Sequence, residues 1–339
     1  MESPSVLSWW LAAKSTFWEP RVWLPPGYNW DTVTLNVKDF PNCAEMLDPL
    51  LMSLVLIVLR IGFEWCVARP IGVRCGLSDT GSALPVVLRR VWYWWTDTDG
   101  NGNKYSNGTN DVLHVVITKS KLDKFCEHSW RFTFYSSVFV FGLWALMDKP
   151  WVWDTSHFWV GYPCHSVAPE ISWYYKIEAA FYWSLMISQF TDVRRKDFHM
   201  MFVHHVATLL LIWFSWTDNF VRVGSMILVL HDAADIWLDL TKMFRFLGNC
   251  PTMCNASSYV FAVVWFVTRC MLLPYLVLYS TLIEAPAFIV WFPVYYIFNV
   301  LLVVLQILHL VWSYMIIKAI YAVITEGFPE DCRSDDEDE

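Results

Sequence analysis

Long apolar blocks separated by polar loops dominate this sequence. A helix needs about 20 mostly apolar residues to cross a bilayer core roughly 30 Å thick. Seven stretches meet that requirement, at approximately 48–68, 132–149, 173–190, 200–217, 223–243, 258–283 and 291–321. Charged residues make up 17% of the chain, against about 25% in soluble domains. Because lipid cannot bond to backbone groups, such blocks fold as helices, and the sequence predicts an all-α integral membrane protein with about seven transmembrane helices.

Lysine and arginine are unevenly distributed among the loops. Eight of them lie within 69–128, whereas the alternate loops contain only Lys149 and Arg222. The loops after the third and fifth blocks are also basic, through Arg194, Arg195, Lys196, Lys242 and Arg245. Since basic loops stay in the cytosol, we expect a luminal N-terminus and a cytosolic C-terminus. The chain is predicted to divide into a luminal N-terminal segment (1–47), a first transmembrane helix (48–68), a cytosolic loop (69–128), a helical domain (129–323) and an acidic tail (324–339).

The fifth block carries ionisable side chains inside an apolar helix. At about 100° of rotation per residue, these side chains fall in one sector of about 100°. They are His231, Asp232, Asp235, Asp239 and Lys242. A charge at the bilayer centre is costly unless it is paired or hydrated, so such residues are candidates for function. The pattern predicts a protein-lined cavity inside the membrane.

The fourth block adds two adjacent histidines, His204 and His205, with Asp197 and Thr208 on the face of His204. Imidazoles beside a carboxylate-rich helix supply the acid, base and orienting group that acyl transfer to an amine needs. Alternatively, they only form hydrogen bonds between helices. The same two interpretations apply to other polar residues of the blocks, namely Glu178, Tyr182, Arg269, Asn299, Gln306 and His309.

These residues also carry a resemblance to a known family. The segment KDFHMMFVHH (196–205), followed by HDAADIWLDLTKMF (231–244), resembles the longevity-assurance motif of ceramide synthases within the TLC-domain superfamily. Similarity extends from about 120 to 325. The resemblance implies a TLC catalytic domain at 129–323, with a six-helix core around an intramembrane cavity, in a multi-pass protein of the endoplasmic reticulum membrane.

The resemblance also implies an acyltransferase that makes ceramide. Its donor is a fatty acyl-CoA, its acceptor is the amine of a sphingoid base, and no cofactor or metal is expected beyond acyl-CoA as co-substrate. His204 and His205 become the catalytic pair, supported by His231, Asp232 and Asp235. We assign substrate binding to Asp239, Lys242, Arg194, Arg195, Lys196, Arg269, Asn299 and Tyr182. The basic members are suited to the phosphates of CoA, although they can also be explained as a topology signal alone.

Two mechanisms remain open on the sequence. One histidine takes the amine proton while the other stabilises the thioester oxyanion or protonates the leaving thiolate. In the second, one imidazole is acylated first and then passes on the acyl chain. The expected partners are the lipid bilayer and a second subunit, either another copy of this chain in a homodimer or a related synthase in a heterodimer. Many animal members carry a homeodomain-like insert, but 69–128 has no three-helix pattern and no basic recognition helix, so no nucleic-acid partner is expected.

Two other classes of protein compete with this interpretation. A di-iron membrane desaturase or hydroxylase also uses intramembrane His and Asp, but it needs many histidines in spaced boxes, and only His204, His205 and His231 are well placed. A TLC-domain lipid-binding or translocon-associated protein would not be an enzyme, and the retained histidines and aspartates argue against it. An assay of microsomes with acyl-CoA and labelled sphinganine separates the three.

The acidic tail generates a first prediction. Ser334 precedes Asp335, Asp336, Glu337, Asp338 and Glu339, the context that acidophilic kinases select, and the segment's composition predicts disorder. A phosphate adds a charge of about −1.5 to −2, which would alter attraction between the tail and the basic cytosolic loops. We expect mass spectrometry to find phosphorylated Ser334, and Ser334→Ala and Ser334→Glu to differ in apparent affinity for acyl-CoA. An unmodified peptide and two kinetically identical variants would leave the tail as a solvating terminus only.

Overall fold

The structure, a computed structural model, describes residues 14–78, 120–191 and 197–326. Within these ranges the chain is helical and contains no β-strand. Seven long helices follow one another: α1 (Asp48–Phe63), α2 (Lys121–Leu146), α3 (Pro169–Thr191), α4 (Phe198–Thr217), α5 (Val221–Leu247), α6 (Pro251–Trp265) and α7 (Pro293–Glu326). Each corresponds to one predicted block, so the all-α prediction is confirmed.

Two of the helices continue through wider π-helical turns. Helix α1 extends through Glu64–Ala68 into Arg69–Arg74, and α6 extends through Phe266–Leu278. Proline lacks a backbone N–H and clashes with the carbonyl one turn earlier, so a local shift to π geometry accommodates it. Pro70 and Pro274 lie in or directly after these turns. The first helix is therefore longer than predicted, and α6 continues past Trp265 rather than ending there.

In the part of the chain that the structure describes, four helical segments are long and apolar enough to cross a membrane. They are Cys43–Arg74, Phe198–Thr217, Pro251–Ala287 and Pro293–Ala322. In the most apolar 18-residue stretch of each segment, only 11% to 33% of the positions are buried inside the protein. The outer surface of these segments is therefore apolar and suited to lipid. Helices α2, α3 and α5 carry more polar residues. The multi-pass architecture is thus supported directly by four segments, and the count of seven spans stays a prediction for the other three.

Helix α5 lies at the centre of the bundle. It packs against α2 along much of its length and also against α6, while α3 packs against α1 and α4 packs against α3 and α7. Two glycines permit close approach to α3. A Cβ at Gly224 of α5 would overlap the Tyr175 hydroxyl, and one at Gly142 of α2 would overlap the Tyr174 ring. The aromatic side chains of α3 are therefore wedged between its neighbours.

The predicted luminal end is closed by short helices and loops. Residues Pro20–Trp23 and Trp30–Asn36 form two short helices at this end. The loop between α2 and α3 reaches the end of α6, where Trp159 donates its indole N–H to Ser280 Oγ at 3.0 Å. Burial in this loop lowers the pKa of His165 to about 3, so its ring is neutral. Short helices and loops therefore cover this end of the bundle.

The predicted segment boundaries differ from the helices by several residues. The chain is helical as far as Arg74 and again from Lys121, so the predicted loop 69–128 includes the end of the first helix and the start of α2. Helix α7 continues to Glu326, beyond the predicted end of the domain. Residues 79–119 and 327–339 lie outside the described residues, and with them the predicted absence of a homeodomain-like insert, the disorder of the tail and Ser334.

The orientation can be tested by glycosylation. The acceptor patterns at Asn107 and Asn255 lie in the cytosol in the predicted topology, where the transferase cannot reach them. We expect no mobility shift when the protein is treated with glycosidase. As a matched control, Thr32→Asn creates an acceptor with Thr34 at an exposed position of the predicted luminal segment, and it should produce a shift. A glycan on either native asparagine would invert the topology or change the number of spans.

Candidate active site

A cavity of about 130 Å³ lies among α2, α3, α4 and α5. Polar side chains from all four helices line it: Arg131, Tyr135, Tyr182, Ser188, Gln189, Asp197, His204, His205, Asp235, Asp239 and Lys242. Most of these residues come from the N-terminal halves of α2 and α4 and the C-terminal halves of α3 and α5. The cavity therefore lies toward the end of the bundle that the charge pattern places in the cytosol.

The predicted site residues divide into three groups. Six of them line the cavity: His204, His205, Asp235, Asp239, Lys242 and Tyr182. His231, Asp232, Arg269 and Asn299 do not line it, and all four are buried elsewhere in the bundle. The basic residues Arg194, Arg195 and Lys196 lie outside the described residues. The roles of all these residues stay predictions.

The hydrogen bonds of His205 define which of its nitrogens carries the proton. Gln189 donates its amide N–H to the Phe198 carbonyl at 2.8 Å, so the other atom of that amide is the oxygen. This oxygen lies 2.8 Å from His205 Nδ1 and can only accept, so Nδ1 carries the hydrogen. The lone pair of neutral His205 is consequently on Nε2, at the cavity wall. Gln189 thus fixes the tautomer of His205.

His204 is held by rings rather than by hydrogen bonds. Its ring meets Trp312 edge to face with centroids 5.2 Å apart, and it lies 5.7 Å from the ring of His205. Its buried Nδ1 has no hydrogen-bond partner among the described residues. Since nothing fixes its tautomer, His204 can present either a lone pair or an N–H to the cavity.

The carboxylates across the cavity each have a partner from another helix. Asp239 Oδ1 lies 2.6 Å from His128 Nδ1 of α2, and Asp235 Oδ2 lies 3.3 Å from an Arg269 nitrogen in the continuation of α6. Arg131 lines the cavity and forms an ion pair with Glu127, 2.7 Å away. Positive and negative groups are therefore both present, with the acids on α5 and the arginine on α2.

Sequence reasoning missed several of these residues, notably His128, Arg131 and Gln189. The predicted second block begins at 132, because the preceding residues are too polar for an apolar window, whereas α2 begins at Lys121. A signal was nevertheless present. Arg131 follows Glu127 by four residues and His128 by three, so it shares a helix face with both of them.

Asp232 faces α3 instead of the cavity. Its Oδ2 accepts the Tyr174 hydroxyl hydrogen at 2.9 Å, and the Glu178 carboxyl lies against it. Glu178 is completely buried and receives no hydrogen bond from an N–H or hydroxyl of any residue that the structure describes. Two touching carboxyl groups in an apolar interior cannot both be ionised. At least one carboxyl group of this pair is therefore protonated.

The protonation of this carboxyl pair can be tested by two substitutions. Glu178→Gln keeps a neutral donor toward Asp232, so the unfolding temperature in detergent should stay near that of the wild type. Glu178→Leu removes the donor, and we expect a loss of about 1–3 kcal/mol in stability, seen as a lower unfolding temperature. If Glu178 were an unpaired charge, both substitutions would instead raise the unfolding temperature.

Comparison with known proteins identifies the family. A family profile described as "TLC domain" matches residues 124–318. Human ceramide synthase 3 is 35% identical over 340 residues, covering 96% of this chain and 88% of that protein. Human ceramide synthase 5 is 34% identical, with 98% and 88% covered, and ceramide synthase hyl-1 of Caenorhabditis elegans is 33% identical, with 95% and 84% covered. The chain belongs to the ceramide synthase family of TLC-domain proteins.

Proposed function

We propose that this protein is a ceramide synthase, an acyltransferase that moves a fatty acyl group from acyl-CoA to the amine of a sphingoid base. The observation that carries the proposal is that His204 and His205 line the same cavity as Asp235 and Asp239. Nearly full-length similarity to proteins named ceramide synthase supports the same reaction. A non-enzymatic lipid-binding role is not favoured.

His205 serves as the general base. Its Nε2 lone pair faces the cavity, and Gln189 holds the proton on the other nitrogen. The ammonium of the sphingoid base first loses one proton to water. As the neutral amine nitrogen then forms its bond to the thioester carbon, a second proton passes from that nitrogen to Nε2. The carbon–sulfur bond breaks, and the thiolate of CoA takes a proton from the His205 imidazolium, directly or through His204, so that both histidines are neutral again. His205, held in one tautomer by the Gln189 amide, has the arrangement expected of an acid–base catalyst.

His204 acts on the acyl group. With its proton on the nitrogen that faces the cavity, it can donate to the thioester oxygen as negative charge develops there, or to the departing sulfur. With the other tautomer it presents a lone pair and can accept the acyl group first. Rapid quenching followed by mass spectrometry distinguishes the routes, because only the second leaves an acyl group on His204.

The charged walls separate the two substrates. A sphingoid base carries an ammonium group, which the carboxylates of Asp235 and Asp239 attract. Arg131 and Lys242 line the same cavity and are suited to the phosphates of CoA. The predicted contribution of Arg194, Arg195 and Lys196 to CoA binding belongs to this proposal, and Tyr182, between both histidines and α5, contacts the reacting groups.

A second, smaller gap marks the place where a hydrocarbon tail would enter. It has a volume of about 20 Å³, shares Tyr182 with the main cavity and is lined mainly by apolar residues, among them Leu211, Ile212, Leu228 and Phe298. A long acyl chain needs more space than this, so α4 and α7 would have to separate as it enters. Asn299 is one residue beyond Phe298 on the same helix.

The cellular setting completes the proposal. The enzyme resides in the endoplasmic reticulum membrane with its N-terminus in the lumen, so that the cavity opens toward cytosolic acyl-CoA. It needs no cofactor or metal beyond acyl-CoA. It assembles as a homodimer or as a heterodimer with related synthases, which cross-linking in native membranes can test.

Substitution of the histidines tests the catalytic assignment. His204→Ala and His205→Ala should each lower turnover with acyl-CoA and sphinganine by about 10²-fold or more, because an acid–base group is removed. Microsomal protein levels should stay unchanged. His199→Ala is the matched control, since this histidine is on the same helix but exposed and outside the cavity lining, and it should retain activity.

If a variant with both His204→Ala and His205→Ala kept near-normal turnover, the catalytic assignment of these histidines would be wrong. Inactivity of the wild type itself would remove the proposed reaction. Treatment of the wild type with a chelator should leave turnover unchanged, whereas a di-iron oxygenase would lose its activity.

A further inference from the structure

His231 has no free ring nitrogen. Its Nδ1 lies 2.7 Å from the Ile227 carbonyl oxygen, one turn earlier on α5. Its Nε2 lies 3.2 Å from Nε2 of His309 on α7. Both residues are almost completely buried, with exposed fractions of 4% and 1%. Although the sequence pattern suggests a catalytic role, neither nitrogen of His231 is available to a substrate in this arrangement.

The two hydrogen bonds determine where the protons are. A carbonyl oxygen only accepts, so His231 Nδ1 carries its hydrogen, and in the neutral ring Nε2 holds the lone pair. The nitrogen–nitrogen contact needs one donor, which must be His309 Nε2–H. The guanidinium of Arg269 donates to the His231 carbonyl at 2.8 Å, and this nearby positive charge disfavours a second positive charge on either ring.

The contact with His231 is the one hydrogen bond that the His309 ring makes to the described residues. Its Nδ1 is buried and has no hydrogen-bond partner among the described residues. The surrounding rings are Trp265, edge to face at 5.9 Å, and Trp312 at 6.4 Å. An imidazole buried among aromatic rings with one bond is costly, which indicates that the bond to His231 has a role.

The bond joins a chain of contacts that ends at the cavity. The Arg269 nitrogen that donates to the His231 carbonyl also lies 3.3 Å from Asp235 Oδ2. Gln306, one turn before His309 on α7, donates to the Arg269 carbonyl at 3.2 Å. Helix α7 therefore holds both α5 and the continuation of α6 behind Asp235, which lines the cavity.

We infer that His309 is a positioning residue for acyl transfer: its Nε2–H holds the neutral Nδ1–H form of His231 and, through the Arg269 contacts, fixes Asp235 at the cavity wall. The inference rests on the proposed function, in which Asp235 binds the ammonium of the sphingoid base. Loss of the His309 bond should therefore affect the amine acceptor more than the acyl donor.

Three substitutions separate the hydrogen bond from the bulk of the ring. The amide nitrogen of His309→Gln can occupy the position of Nε2, whereas that of His309→Asn matches Nδ1 and falls short of His231. His309→Leu fills space without a donor. We expect Gln to retain turnover within about threefold, and Asn and Leu to raise KM for sphinganine roughly tenfold, as expected for a lost buried hydrogen bond, with little change in KM for acyl-CoA.

The tautomers can be determined directly from ring-nitrogen NMR of ¹⁵N-histidine-labelled protein. The signals lost in His309→Gln should belong to an Nε2–H ring, and the signals of His231 to an Nδ1–H ring. The opposite tautomers, a charged ring, or a Gln variant as impaired as Leu would overturn the inference. So would equal changes in both KM values, which a merely structural role produces.

These outcomes are distinct from a failure of the proposed function. If the wild type showed no acyl transfer, the proposed function would be wrong. The NMR spectrum would still determine the tautomers of His231 and His309. Should the Leu and Asn variants not accumulate, the comparison of Gln with wild type and the NMR spectrum of the wild type decide the matter.

Discussion

The cost of placing charged and polar groups in an apolar bundle governs this structure. Helix α5 carries such groups on one face, and four of them have partners on four different helical segments. The pairs are His231 with His309 of α7, Asp232 with Tyr174 of α3, Asp235 with Arg269 in the continuation of α6, and Asp239 with His128 of α2. Breaking a buried ion pair by removing one partner typically costs about 3–5 kcal/mol, since the other charge is left uncompensated. Each contact thus attaches one helix to α5, and the polar face that the reaction needs also assembles the fold.

The helices and the cavity could be predicted because they depend on local patterns. Apolar length identified the seven helices, and the 3.6-residue period grouped the polar residues of α5 on one face. What could not be predicted was which neighbour each of those residues meets. Asp232 and Asp235 are three residues apart and about 60° apart around the helix, yet one faces Tyr174 and the other the cavity. That difference depends on how α3 and α4 pack around α5, which only tertiary structure determines.

The hydropathy pattern also failed to predict the first turns of α2, because these turns are polar. A window that requires apolar residues stops where His128 and Arg131 begin, although the helix continues through them because their partners are inside the protein. The same window found α4 because its histidines are embedded in apolar sequence. In a bundle of this kind, the polar ends of helices are the segments most easily missed. They are also the segments that form the cavity.

The polar residues of this site differ in whether all of their hydrogen-bonding atoms have partners within the protein. His231 and Asp232 match a motif associated with catalysis, but their polar atoms are occupied by Ile227, His309, Tyr174 and Glu178. In His205, by contrast, one nitrogen is fixed by Gln189 and the other faces the cavity. A group can exchange a proton with a substrate only through an atom that the fold leaves open. By that criterion the motif contains two kinds of residue, those whose polar atoms are occupied by neighbouring helices and those that keep an atom open to the cavity, and adjacency in sequence does not distinguish them.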